Sequence, residues 1–170
     1  VVGFGRIGQM VAERAMGLGM HVVAYDPFVT EARYRELGVE QAPTPEDLYA
    51  VADFVALHLA STPETRGSIG KEVFAAMKPG ARLINAARGD IVDTDALVEA
   101  INSGHLGGAG IDVFPQEPTT ESPLFGLPGV VVTPHLGAST SEAQDRAGVV
   151  VAEQVAAALT GGVVTSAVNI

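Results

Sequence analysis

Three residues in the second half of the chain have side chains suited to act together, and each stands just past a short apolar stretch. Arg88 follows 81–86, Glu117 follows 107–113 and His135 follows 130–133. An arginine offers a planar fork for a carboxylate and can polarise a carbonyl oxygen. A histidine can take the proton of a hydroxyl as a hydride leaves the same carbon, or return it in the reverse direction. A carboxylate beside that histidine holds the ring and favours its protonated form. The set suits hydride transfer at a 2-hydroxy acid. Taken singly, the arginine reads as a surface residue, the glutamate between prolines as solvated, and the histidine after Pro134 as structural. Three such residues at three strand ends favour the catalytic reading.

Hydride transfer needs an acceptor, and the start of the chain has the pattern that would bind one. Val1-Val2 runs into Gly3-Phe4-Gly5-Arg6-Ile7-Gly8, a G-x-G-x-x-G sequence, and a helical segment follows from Gln9. In such a loop the first glycine makes a tight turn, the second lets the backbone approach a pyrophosphate, and the third lets the helix pack against the strand. The helix N-terminus then presents free N–H groups to the anion. In a chain with 20 glycines the motif alone is weak, and its place between a strand and a helix strengthens it. Asp26 ends the next apolar stretch, 21–25, and lies 18 residues beyond Gly8. An acid there can accept hydrogen bonds from both adenosine ribose hydroxyls and would repel a 2′-phosphate, so NAD is expected over NADP. The plainer alternative is a turn-forming aspartate before Pro27.

The elements that must carry these residues alternate. Strands are expected near 1–3, 21–25, 39, 53–59, 81–86, 107–113 and 130–133, and helices after Gly8, at 30–37, from Thr44, around 71–77, at 93–103 and from Ser139 to about Leu159. Thr44-Pro45-Glu46-Asp47 combines a cap residue, proline at the first helical position and acids in the first turn. Ser139-Thr140-Ser141-Glu142 reads as a capping box. Short apolar strands without clean alternation imply burial on both faces. The expected fold is α/β: a doubly wound Rossmann domain over 1–170 with a mostly parallel sheet of about seven strands and helices on both faces. Ligands in such sheets sit beyond the carboxyl ends of the strands, which is where Arg88, Glu117 and His135 fall.

Composition narrows the partners. With 170 residues, 47% hydrophobic and 18% charged, the chain is expected to be a globular domain with a real core. A net charge of −10 with scattered basic residues argues against nucleic acid. No apolar run approaches bilayer length. Cysteine is absent, which excludes disulfides and thiolate metal sites, and a reducing, cytoplasmic setting is expected. The four histidines lack metal-ligand spacing, so no metal is expected. His21 and His105 read as structural; His58 ends a strand on the ligand side and is a candidate to line the site.

Four blocks, Val2 to Gly8, Asn85-Ala86-Ala87-Arg88-Gly89, Asp112-Val113-Phe114-Pro115-Gln116-Glu117-Pro118 and Pro134-His135-Leu136-Gly137-Ala138-Ser139-Thr140, resemble the D-isomer-specific 2-hydroxyacid dehydrogenases. The resemblance runs the length of the chain. It implies that Arg88 binds the substrate carboxylate and polarises the keto group, and that Glu117 pairs with His135, the proton donor in reduction. It implies that Gly3, Gly5, Arg6, Ile7 and Gly8 hold the pyrophosphate, Asp26 the ribose, and Ala86, Ala87, Arg88, Asp112, His135, Gly137 and Ala138 the nicotinamide. Many members have proline two residues after the position of His58, where this chain has Ala60. It further implies a 2-hydroxy or 2-keto acid substrate, with 3-phosphoglycerate oxidation towards serine as the first reading and glyoxylate or hydroxypyruvate reduction as its sibling. A homodimer or tetramer with nucleotide domains in contact is implied. So is a substrate domain outside this chain, towards which 161–170 would cross; with Val1 already inside a strand, the chain is expected to be a fragment that turns over poorly alone. The alternative of another class is an NAD-sensing module of the corepressor type.

Overall fold

Apolar stretches alternate with capped helical segments, and the structure converts that alternation into parallel strands joined by helices. It is a computed structural model and describes residues 1–167, so the end of the expected crossing segment, 168–170, lies outside the described residues. The elements are α1 (Arg6–Gly17), β1 (Val23–Ala24), α2 (Glu31–Leu37), β2 (Glu40–Gln41), α3 (Pro45–Val51), β3 (Phe54–Leu57), α4 (Lys71–Ala76), β4 (Arg82–Asn85), a 3-10 turn (Gly89–Ile91), α5 (Thr94–Asn102), β5 (Gly108–Ile111), β6 (Val130–Val132) and α6 (Ser141–Leu159).

Helix starts have local causes. Thr44 accepts a hydrogen bond from Asp47 N at 3.2 Å, with Pro45 opening α3. Asp93 caps α5 through Ala96 N at 3.1 Å, and Thr140 caps α6 through Ala143 N at 3.1 Å. Each cap satisfies an N–H that the helix itself cannot, which is worth about 1 kcal/mol. With Thr140 at the cap, Glu142 falls at the second helical position rather than the third. The expected box does not form, because its acid stands one residue too early.

β3, β4, β5 and β6 form a four-stranded parallel sheet, and β1 and β2 a two-stranded parallel ladder. Val2 makes isolated parallel bridges to both Tyr25 and Leu57. The first segment therefore lies between the two ladders, and the order reverses there as a doubly wound sheet requires. The main sheet among the described residues has four strands, fewer than the seven expected. Gly3 turns away directly after Val2 with φ at +88°, which leaves one residue of the first segment to pair.

Register sets up the functional edge. Leu57 pairs with Asn85, Asn85 with Ile111, and Ile111 with Val132, so four strands end level. The ladder bonds continue one residue further: His58 N donates to Val2 O, Asp112 N to Asn85 O and Thr133 N to Ile111 O, at 2.8–3.0 Å.

The first segment alternates between two apolar layers. Val2 joins Val55, Leu57, Leu83, Ala109 and Ile111, with Leu48, Phe74 and Leu97 from α3, α4 and α5. Phe4 joins Val22, Ala24 and Val39, with Ala12 of α1 and Tyr34 of α2, and its ring stacks on Tyr34 at 4.6 Å. The second layer covers the β1–β2 end only. On the outer face of the main sheet Phe54 is 46% exposed, Ile84 36% and Val131 68%, so burial of both faces holds only in part.

The chain divides into two compact units, Val1–Pro134 and His135–Ile170. Within the second, α6 is 19 residues long with no buried residue. No helix among the described residues is long and apolar enough to cross a membrane.

Candidate active site

The glycine loop is shaped as its three glycines require. At Gly3 a side chain would meet His58 O at 2.7 Å, and its positive φ suits glycine. At Gly8 a Cβ would drive into Gly3 O, so α1 packs against the turn only because that atom is absent. At Gly5 a Cβ would meet nothing within 4 Å: the loop faces open space there, directly before the exposed Arg6 and Ile7 at the helix N-terminus. Asp26 closes the loop from the next strand. Its Oδ2 accepts from Phe4 N at 2.8 Å and its Oδ1 from Phe28 N at 2.9 Å. Each oxygen keeps a second lone pair, so the carboxylate can hold the loop and still accept from a ligand.

The Arg88 turn is braced from inside. Asn85, 1% exposed, ends β4 and reaches forward to the residues that follow it. Its Oδ1 accepts from Ala87 N at 3.0 Å and its Nδ2 donates to Arg88 O at 2.9 Å. The exposed guanidinium donates to Ala87 O at 2.6 Å. Directly after it, a Cβ on Gly89 would overlap the backbone of Phe114. The Arg88 turn thus abuts the loop that carries Glu117. In that loop Glu117 Oε1 accepts from Phe114 N at 2.8 Å, and the Glu117–Pro118 peptide is cis. Asp112, buried beyond β5, accepts a short hydrogen bond from Thr133 Oγ1. The first unit therefore brings Arg88, Asp112 and Glu117 to one sheet edge with Ala86 and Ala87, the same edge as Gly3.

His135, Gly137 and Ala138 open the second unit. His135 has φ of 56°, a left-handed backbone that costs a non-glycine residue about 1 kcal/mol or more and clusters at functional sites. Ser139 Oγ donates to His135 O at 3.2 Å.

The other three histidines have different surroundings. His21 faces Glu40 at 3.0 Å on the surface, and His105 Nε2 lies 2.9 Å from Phe74 O and 3.1 Å from Met77 O at the end of α4. His58 differs: its Nε2 is buried without a partner among the described residues. Burial pushes its pKa below the usual value. No group of residues among those described could hold a metal ion.

Residues 1–137 match the family profile described as D-isomer specific 2-hydroxyacid dehydrogenase, NAD binding domain. The chain belongs to this family. It is 58% identical over 170 residues to the D-3-phosphoglycerate dehydrogenase of Mycobacterium tuberculosis (strain H37Rv), covering 100% of this chain and 32% of that protein. To the enzyme of the same name from Methanocaldococcus jannaschii it is 44% identical over 169 residues, 99% of this chain and 32% of the relative. The chain thus spans about a third of the curated relatives it matches. Among solved structures, the TT0316 protein of Thermus thermophilus superposes with a TM-score of 0.86 at 44% identity, over 95% of this chain and 50% of that one. The D-lactate dehydrogenase of Aquifex aeolicus, solved with NAD and lactic acid, gives a TM-score of 0.84 at 32% identity, over 94% and 52%.

As the NAD-binding domain of a D-2-hydroxyacid dehydrogenase, the chain has residues that fit the dinucleotide. The open space at Gly5, the helix N-terminus that follows it and the spare lone pairs of Asp26 could take a phosphate and a ribose hydroxyl. Two contributors are not singled out by the sequence reading. Asn85 acts through side-chain hydrogen bonds to the turn and Gly89 through the absence of a Cβ, and only their place inside the Asn85–Gly89 block could draw attention to them.

Proposed function

We propose that the protein of which this chain forms the NAD-binding domain oxidises D-3-phosphoglycerate with NAD, a cytoplasmic step towards L-serine, and works as a homodimer or tetramer. The observation that carries the reading is the level sheet edge, on which a dinucleotide-shaped loop and a braced arginine share one line. NAD supplies the hydride acceptor. Gly3, Gly5, Arg6, Ile7 and Gly8 hold the pyrophosphate and Asp26 the ribose, which favours NAD over NADP. Ala86, Ala87, Asp112, Gly137 and Ala138 line the nicotinamide. Arg88 binds the substrate carboxylate and draws charge onto the oxygen at C2. His135 takes the hydroxyl proton during oxidation, and Glu117 orients its ring. Arg88 stands three residues beyond the level register position at Asn85.

The full-length protein, assayed with 3-phosphoglycerate, glyoxylate and hydroxypyruvate, tests this. Turnover of the first is expected, and His135→Ala should abolish it with NAD affinity nearly unchanged. Turnover of glyoxylate alone would replace the substrate reading, and NAD binding without turnover of any would favour a sensing module. Asp26→Ala should weaken NAD and relax discrimination against NADP.

A further inference from the structure

Asp90 takes no part in the chemistry above, yet it ties the Arg88 turn to the loop that follows β3. Its Oδ2 accepts from Ser61 Oγ at 2.6 Å and lies 3.1 Å from Arg66 Nε, which also donates to Ser61 Oγ at 3.2 Å. Its carbonyl accepts from Gly67 N at 2.9 Å. Ser61, Arg66 and Gly67 belong to the loop that follows β3. Asp90 belongs to the turn that follows β4 and stands two residues after Arg88. Because β3 and β4 are parallel neighbours, both loops rise from the same edge. Further along, Ile69 N donates to Ile91 O at 3.1 Å and Asp93 N to Ile69 O at 3.0 Å, so the two segments run side by side.

The Arg66–Asp90 side chains are 63% and 36% exposed, and ion pairs of that kind contribute little to stability. What three polar groups converging on one turn can do is fix its position. We propose that Asp90 is a positioning residue that couples the 60–67 loop to the Arg88 turn, so that the guanidinium is aimed at a substrate carboxylate when that loop is seated. This rests on Arg88 binding the carboxylate.

Asp90→Ala and Ser61→Ala, made in the full-length protein, test it. Each should raise KM for the hydroxy acid about five-fold, the worth of one hydrogen bond. Each should leave the NAD dissociation constant within about two-fold and Tm within about 2 °C. The double variant should be no worse than the worse single one, since both break the same link. Asp90→Asn keeps an oxygen for the Ser61 hydroxyl and should restore most of the loss. Amide hydrogen exchange over 87–91 should speed up in Ser61→Ala, although the change is in the other loop, and this reading does not depend on turnover. Unchanged KM with unchanged exchange overturns the coupling, as do additive effects in the double variant or a large fall in Tm with KM intact. A wild-type protein that turns over no D-2-hydroxy acid overturns the function instead, and the exchange measurement still judges the coupling.

Discussion

Asn85 is a neutral amide at a place where an aliphatic side chain would bury more comfortably. Its two hydrogen bonds give the reason: they hold the N–H of Ala87 and the carbonyl of Arg88, so the amide orders the backbone on both sides of one peptide. Asn85→Ala should lower unfolding free energy by about 1–3 kcal/mol, the cost of orphaning a buried pair, and raise KM for the hydroxy acid more than the NAD dissociation constant. Urea unfolding and steady-state kinetics check both. His58 gives a pH signature. Its folded pKa lies below the usual 6.5, with burial the first cause, so as pH falls the unfolded chain takes up the proton first. The stability it contributes is complete above about pH 6.5 and is lost as pH drops from there towards the folded value. His58→Gln should therefore lose less stability than wild type between about pH 7.5 and pH 5.5, by urea unfolding at each pH.

At the scale of elements, the close approach at Gly89 joins the β4 turn to the loop after β5. Gly89→Ala forces a methyl into the Phe114 backbone, and backbone cannot swing aside as a side chain can. The loss should be at least about 2 kcal/mol in urea unfolding, with turnover falling with it. The same elements show why some of the site was legible beforehand. Glycine spacing, the acid after the second apolar stretch and the polar residues past later stretches are local signals, each carried by a few neighbouring residues. The helix start at Thr44 is readable because a cap is a contact over three residues, whereas at α6 the cap falls on Thr140, one residue later than the expected box requires. The Ser61–Asp90 bond spans 29 residues and leaves no mark in either segment alone. The main sheet has fewer strands than expected because Gly3 turns the first segment away after the single bridging residue Val2, and β1 and β2 pair in a ladder of their own.

At the scale of the molecule, the two units differ in how their helices are held. In Val1–Pro134, helices α1 to α5 each bury at least one side chain against the sheet's apolar layers. In His135–Ile170, α6 has no buried residue and leaves Val149, Val150, Val151 and Val155 exposed. Helices draw most of their stability from packing. For the 170-residue chain expressed alone, amide exchange in α6 should run far ahead of that in β3, β4 and β5, as mass spectrometry of deuterium uptake over residues 141–159, 54–57, 82–85 and 108–111 would show. Equal protection in the two regions would refute this.

The level register has a consequence for how such a domain can change over evolution or by design. Every functional loop leaves the sheet from the same pleat, so each can be lengthened, shortened or exchanged as a cassette without moving the base of its neighbours. The strands allow no such freedom. One residue inserted in β4 would turn Leu83 towards solvent and Ile84 inward, and would send Asn85 and Arg88 to the wrong face together. Substrate preference is thus free to drift in the loops while the ruler that spaces them stays fixed.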